Sequence, residues 1–204
     1  MPNYGEIEFK CGLEIHQRLD SRKLFCYCPS ILRDDKPDFT VKRKLRAIAG
    51  ESGEIDIAAK FEMEKRLEFF YEGYNDTTCL IELDEAPIQE INQEALDITF
   101  QVALLLNARI LDEIFVMRKI VIDGSAVSGF QRTMLVAKNG MIETSKGPVR
   151  IVSICLEEES AKNVEEKDSS RIWRLDRLGI PLIEIQTCPD IKDPEHAKEP
   201  AEKI

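Results

Sequence analysis

The sequence predicts an α+β fold, a mostly antiparallel sheet with helices packed on it, and three observations carry that expectation. Several short segments alternate apolar and polar residues with period two, the mark of half-buried strands. One long stretch, Glu90 to Arg109, has the helical period instead. An Asn139-Gly140 pair stands between two strand-like runs, a strong hairpin signal.

Taken in order, Glu6 to Arg18 reads as a half-buried strand, with Ile7, Phe9, Cys11, Leu13 and Ile15 on one face. Glu14, His16 and Arg18 fall on its polar face. Arg33 to Gly53, with Pro37 and Gly50, reads as a long connection. A short helix is expected over Asp56 to Glu64, and strands over Leu67 to Tyr74 and Cys79 to Leu83. In the long helix Ile91, Ala95, Ile98, Val102 and Leu105 make one apolar stripe. Alternation returns at Ile114, Val116, Arg118, Ile120 and Ile122, and a small-residue loop follows from Gly124 to Gly129. Phe130 to Lys138 and Met141 to Ser145 are the arms of the expected hairpin, and Val149 to Leu156 is a further strand. The charged run from Lys162 to Ser170 reads as a surface loop, and Ile172 to Leu175 and Ile180 to Thr187 as strands. Asp193-Pro194-Glu195 carries a helix-start signature, a capping Asp before a Pro in the first turn. The sequence stops soon afterwards at Ile204, so a truncated chain is expected.

Composition removes some functions. The 204 residues carry 28 basic and 38 acidic side chains, a net charge of −10, which argues against gripping nucleic acid over the whole surface. No apolar run has the length of a membrane span and no secretory signal is visible, so a cytoplasmic protein is expected. The six cysteines are irregularly spaced and are expected to be reduced. Buried or inert thiols are the main reading, with a metal role for Cys26 and Cys28 as the alternative. A four-cysteine zinc site is not expected, because Cys11, Cys79, Cys155 and Cys188 are all unpaired in sequence.

No phosphate-loop, dinucleotide, zincin or nucleophile-elbow motif is present; Gly124 to Gly129 has a phosphate loop's glycine spacing but continues Phe130-Gln131. Carboxylates stand out instead. Glu14 and His16 share a strand face, Glu157-Glu158-Glu159 follow an apolar strand, and Glu184 lies between Ile183 and Ile185. A carboxylate in so apolar a strand needs a partner, and a hard divalent cation is one candidate. The pattern alone equally allows Glu184 to pair with Arg177 or face solvent, the Glu157–Glu159 run to be a solvated turn, and His16 to be a hydrogen-bonded structural residue.

Ordered motifs narrow this. Gly12-Leu-Glu-Ile-His16 with Ser21-Arg-Lys-Leu-Phe-Cys26, Met117 through Thr133, Cys155-Leu-Glu-Glu-Glu-Ser-Ala-Lys162, and Arg174-Leu-Asp-Arg-Leu-Gly-Ile-Pro-Leu-Ile-Glu-Ile185 with Thr187-Cys-Pro-Asp190 span most of the chain. Together they resemble the B and E subunits of tRNA-dependent amidotransferases, the GatB/GatE family. Asp176 and Ser160 follow the E branch of that family. The resemblance implies a cradle domain similar to the glutamine synthetase catalytic fold, of which residues 1–204 would be the N-terminal part. It implies ATP-dependent phosphorylation of glutamate on misacylated Glu-tRNA(Gln), then amidation with ammonia from an asparaginase-like D subunit, in a heterodimer or dimer of heterodimers. By motif, the Mg²⁺ ligands implied are Glu14, His16, Glu157 and Glu184. Arg132 and Arg177 are the phosphate-clamp candidates, and Ser125 and Ser128 with Arg132 the ATP-contact candidates. The tRNA is expected to be held mainly by domains beyond this chain. A non-catalytic metal-binding or subunit-docking module is the alternative, and a glutamine-synthetase-like enzyme acting on free glutamate is disfavoured by the motifs.

Overall fold

The computed structural model describes residues 4, 7, 9–44 and 53–204. Residues 6 and 8 of the first expected strand and residues 45–52 of the expected connection, Gly50 included, lie outside the described residues. In chain order the elements are β1 (Glu14–Arg18), β2 (Phe39–Lys44), α1 (Ile57–Glu64), β3 (Glu68–Gly73), α2 (Gln93–Leu105), β4 (Arg109–Ile110), β5 (Met117–Ile120), β6 (Phe130–Ile142), β7 (Val149–Glu158), β8 (Lys162–Lys167), β9 (Ser170–Arg174), β10 (Pro181–Thr187) and α3 (Pro194–Lys203).

Among the described residues these strands form two sheets. The larger runs β1-β10-β7-β6-β4, with β5 also paired to β6, and every pairing in it is antiparallel. The smaller runs β2-β3-β9-β8, antiparallel except where β3 meets β9. The fold is therefore α+β and mostly antiparallel, as the alternation predicts.

Helix α2 packs on β4, β6 and β7 and closes the main core. Ala95, Ala103, Leu106, Met134, Val136, Ile151, Ile154, Leu156, Ile183 and Ile185 are buried there. Each large aliphatic side chain so buried stabilises the fold by about 1.5–3 kcal/mol. The opposite face of this sheet carries the polar residues of β1, β7 and β10, and that division positions the site. A second core, built on Phe69, Tyr71, Trp173 and Leu175, lies under the smaller sheet.

Local chemistry sets the helix starts. The Asp56 carboxylate accepts from the Ala59 amide at 2.9 Å and starts α1. Asn92 does the same for Ala95 in α2, at 3.3 Å, so that helix begins after Asn92 rather than at Glu90. Asp193 caps α3 through the His196 amide at 2.8 Å, with Pro194 in the first turn.

Several sequence expectations are corrected. Among the described residues the first strand begins at Glu14, and ahead of it Cys11 makes an isolated bridge to Ile191. The connection after Arg33 contains β2, whose Phe39, Val41 and Arg43 alternate with exposed neighbours. Residues Cys79 to Leu83 form a turn, because Glu82 folds back to accept the Cys79 amide at 2.7 Å. The run Lys162 to Ser170 contains β8, an edge strand that stays polar because it is exposed along nearly its whole length. The stripe on α2 is rotated: Ala95, Thr99 and Ala103 are buried, and Leu105 is exposed.

The Asn139-Gly140 pair makes no hairpin turn. β6 continues straight through it, with Lys138 opposite Ser153 and Gly140 opposite Ile151, and the chain reverses after Ile142. Asn139 takes a left-handed φ of 59°. A Cβ on Gly140 would lie 2.7 Å from the Leu106 carbonyl oxygen, which itself accepts the Met141 amide at 2.9 Å. Gly140 thus lets the end of α2 lie against the sheet. Gly140→Ala should lower stability by about 1–3 kcal/mol in urea unfolding, since backbone must move to admit the methyl group. An unchanged midpoint would refute the close-approach role.

Candidate functional site

Strand β10 is central at this site, with β1 on one side and β7 on the other. The register puts Glu184 opposite His16 on β1 and opposite Cys155 on β7. One step along, Gln186 faces Glu14 and Ser153, and in the other direction Leu182 faces Arg18 and Glu157. With side chains alternating along each strand, Glu14, His16, Glu157 and Glu184 all project from the face opposite α2.

The inner atoms of this group converge. His16 Nε2 lies 3.3 Å from Glu184 Oε2 and 3.4 Å from Glu14 Oε1. Glu14, His16 and Glu184 offer donor atoms all within 4.8 Å of one another. Glu157 joins through Lys119, whose ammonium lies 3.3 Å from Glu157 Oε2 and 3.8 Å from Glu184 Oε2. The outer oxygens are taken by amides: Gln131 Nε2 donates to Glu157 Oε1 at 3.0 Å, and Gln186 Nε2 donates to Glu184 Oε1 at 2.8 Å. Each buried carboxylate is therefore oriented from behind and keeps one oxygen turned inward.

Glu157 is 2% exposed, so the acidic run is no solvated turn but the buried end of β7. Glu184 does not pair with Arg177; its partners are His16, Lys119 and Gln186. Cys155, between these carboxylates, is pushed up to about 11 by burial and then by the charges of Glu184 and Glu157. A strongly negative, partly dry patch with one imidazole nitrogen is a donor set that suits a divalent cation, with carboxylates as the hard ligands.

A cavity of about 170 Å³ meets this group only through Gln131, which lines it and donates to Glu157; none of Glu14, His16, Glu157 and Glu184 is in its lining. Its lining includes Lys23, Glu82, Ser125, Ser128, Arg132 and Glu158. The loop carrying Ser125 and Ser128 is held by the smaller sheet: the Tyr71 hydroxyl donates to the Gly124 carbonyl at 2.8 Å. The Phe69 ring fills the place where a Gly124 Cβ would sit, and Gly124 has a φ of +87°. Ser125 donates to Asp123 and Ser128 to the Phe130 carbonyl. Arg132 pairs with Glu158 at 3.0 Å and lies over the Phe130 ring. Lys23, fully buried, donates to the Leu175 carbonyl at 3.0 Å and lies 3.5 Å from Glu82 Oε1.

The sequence groups Arg177 with Arg132, but the structure separates them. Arg177 donates to the carbonyls of Ser160 and Ala161, each at 2.8 Å, and lies 3.4 Å from Glu159. It braces the chain after β7 and is absent from the cavity lining.

A second cluster gathers Cys26, Cys28, Cys79 and Glu82 within 4.8 Å. Cys79, unpaired in sequence, thus joins the Cys26-Cys28 pair, and a carboxylate stands as fourth donor. Cys26 donates to Glu82 Oε1 at 2.8 Å. The hydrogen bond between the two thiols lowers Cys28 to about 7 and, with burial and the Glu82 charge, raises Cys26. Three sulfurs and a carboxylate could hold one metal ion.

Sequence reasoning did not find Lys119, Gln131, Gln186 or Glu82. Lys119 lies on the other face of the alternating run from Arg118 and Ile120, and that parity was its only signal. The two glutamines are recognisable only once the register of β6, β7 and β10 is known.

Residues 9–204 match the family model described as GatB/GatE catalytic domain. The chain belongs to the GatB/GatE family. Among its relatives, the E subunit of the glutamyl-tRNA(Gln) amidotransferase of Methanocaldococcus jannaschii is 55% identical over 203 residues. The proteins of the same name from Methanosarcina barkeri and Methanococcus vannielii are 55% and 50% identical. Each alignment covers 99% of this chain and 32% of the relative, so the chain spans about a third of the length of the GatB/GatE-family proteins it matches.

The Arg132–Glu158 pair allows a direct test. Burial raises Glu158 above the usual carboxylate range, and Arg132 opposes that rise. Arg132→Met leaves the carboxylate buried without its cation, a loss of about 3 kcal/mol. With its folded pKa raised, the ionised Glu158 is unfavourable above that pKa, and the penalty is relieved as pH falls through it. The deficit of Arg132→Met should therefore shrink as pH is lowered through the raised pKa of Glu158. A pH-independent deficit in denaturant unfolding would mean that lost packing on Phe130, not the charge, is responsible.

Proposed function

We propose that this chain carries the kinase and transamidation centre of a glutamyl-tRNA(Gln) amidotransferase, as the N-terminal part of its catalytic cradle domain. The reading rests on one observation above all: Glu14, His16 and Glu184 turn their donor atoms to one point, with Glu157 beside them, and Gln131, which donates to Glu157, also lines a cavity with Ser125, Ser128 and Arg132. The names of its relatives supply the substrate, Glu-tRNA(Gln).

The chemistry follows from the weakness of a carboxylate as an electrophile. In the proposed reaction a side-chain carboxylate oxygen of the tRNA-bound glutamate attacks the γ-phosphorus of ATP. An O–P bond forms, the bond to the bridging oxygen breaks, and ADP leaves. Ammonia from an asparaginase-like D subunit then attacks the acyl carbon; phosphate leaves, a proton is lost to solvent, and Gln-tRNA(Gln) remains. Mg²⁺, held by Glu14, His16, Glu157 and Glu184, would neutralise charge on the phosphoryl oxygens. His16 would offer its imidazole Nε2 as a ligand beside the carboxylates. Gln131 and Gln186 keep the carboxylates aimed. Arg132, with Ser125, Ser128 and the amides of their loop, would meet ATP phosphate oxygens. Arg177 acts at one remove by fixing the chain after β7.

The enzyme is proposed to work in the cytoplasm as a heterodimer with its asparaginase-like partner, or a dimer of heterodimers, with tRNA held mainly outside this segment. The test uses the complete protein with that partner, γ-labelled ATP and Glu-tRNA(Gln). ADP formation should depend on Glu-tRNA(Gln), and free glutamate should not replace it. Turnover on free glutamate alone, or none with the charged tRNA, would sink the proposal. Glu184→Gln should cut phosphoryl transfer by about 100-fold or more at unchanged melting temperature, since an amide oxygen cannot replace an anionic ligand. A lowered melting temperature with full activity in the folded fraction would make Glu184 a purely structural residue.

A further inference from the structure

Lys119 has no role in the reading above, yet its ammonium lies among the inward-facing oxygens. It is 3.3 Å from Glu157 Oε2 and 3.8 Å from Glu184 Oε2. Both oxygens belong to carboxylates that are nearly buried, whereas the Lys119 side chain is 52% exposed. It extends from β5, a four-residue strand exposed along its length and paired with β6. A long, flexible side chain on such a strand can leave without disturbing the core. The outer oxygens of Glu157 and Glu184 are already held by Gln131 and Gln186. The ammonium therefore occupies the side on which a divalent cation would bind.

We infer that Lys119 is a displaceable counter-ion: it neutralises Glu157 and Glu184 while the cation is absent and must withdraw when the cation enters. This rests on the metal-ligand reading proposed for Glu14, His16, Glu157 and Glu184. The physical need is plain. Carboxylates brought together on one dry sheet face repel each other, and an ion tethered to the same chain offsets that repulsion whenever no cation is bound. The same positive charge competes with the incoming cation and repels it. Lys119 thus sets the metal affinity lower than the carboxylates alone would give, which favours exchange over permanent retention.

The probe is Mn²⁺ titrated into the purified protein, with free Mn²⁺ read by its EPR signal. Lys119→Met should bind Mn²⁺ about tenfold more tightly than the parent, because one repelling charge near a dication is gone. Lys119→Arg, which keeps the charge, should stay near the parent value. Glu184→Gln, measured alongside, should lose the site. If Glu184→Gln abolishes binding while Lys119→Met binds as the parent does or more weakly, the counter-ion role is wrong and the metal site stands. If Glu184→Gln binds like the parent, the metal-ligand reading fails and this inference falls with it.

Discussion

The pairing of β10 with β1 and β7 is the constraint on which the carboxylate group depends. Ile183 and Ile185 face the core beneath α2, and this burial fixes which way Glu184 must point. A slip of one residue against either neighbour would drive a carboxylate into the apolar core and expose two isoleucines. The hydrophobic effect therefore sets the position of the most polar residues in the chain. Glu14 and Glu157 are aimed by the same alternation on their own strands.

Holding these charges together is the opposing cost. Three carboxylates share one face, and two of them are nearly buried. His16, Lys119 and two glutamine amides are arranged against that repulsion. A second layer of ion pairs, Lys23 with Glu82 and Arg132 with Glu158, lies along the neighbouring cavity. Such pairs add little net stability when desolvated, so their presence along one cavity fits a functional demand better than a structural one.

Much of this was legible in the sequence, for definable reasons. The strand around Glu184 could be read because most of its residues from Pro181 to Ile185 are apolar or prolyl, and the helix starts because Asp56 and Asp193 cap them through local contacts. The four residues proposed as metal ligands share one sheet face, although they lie far apart in the chain. Where reading failed, a tertiary contact had displaced a local preference. Asn139-Gly140 carries a turn signal, yet its glycine serves the approach of the Leu106 carbonyl. β8 is hidden because an exposed edge strand has no apolar face to display. The backbone-directed hydrogen bonds of Arg177 have no sequence signature.

The loop from Gly124 to Gly129 is fastened before any ligand arrives. Tyr71 holds its first carbonyl and Phe69 fills the space beside it, both from the smaller sheet. Ser125 and Asp123 close it internally. A phosphate-contacting loop that must become ordered on binding loses conformational freedom and so loses affinity. Here that loss has been taken during folding, when the second core formed. If the loop meets ATP phosphates as proposed, the smaller sheet, which contributes none of the proposed metal ligands, is in this sense an affinity determinant: loosening it would weaken that binding without touching a single ligand contact.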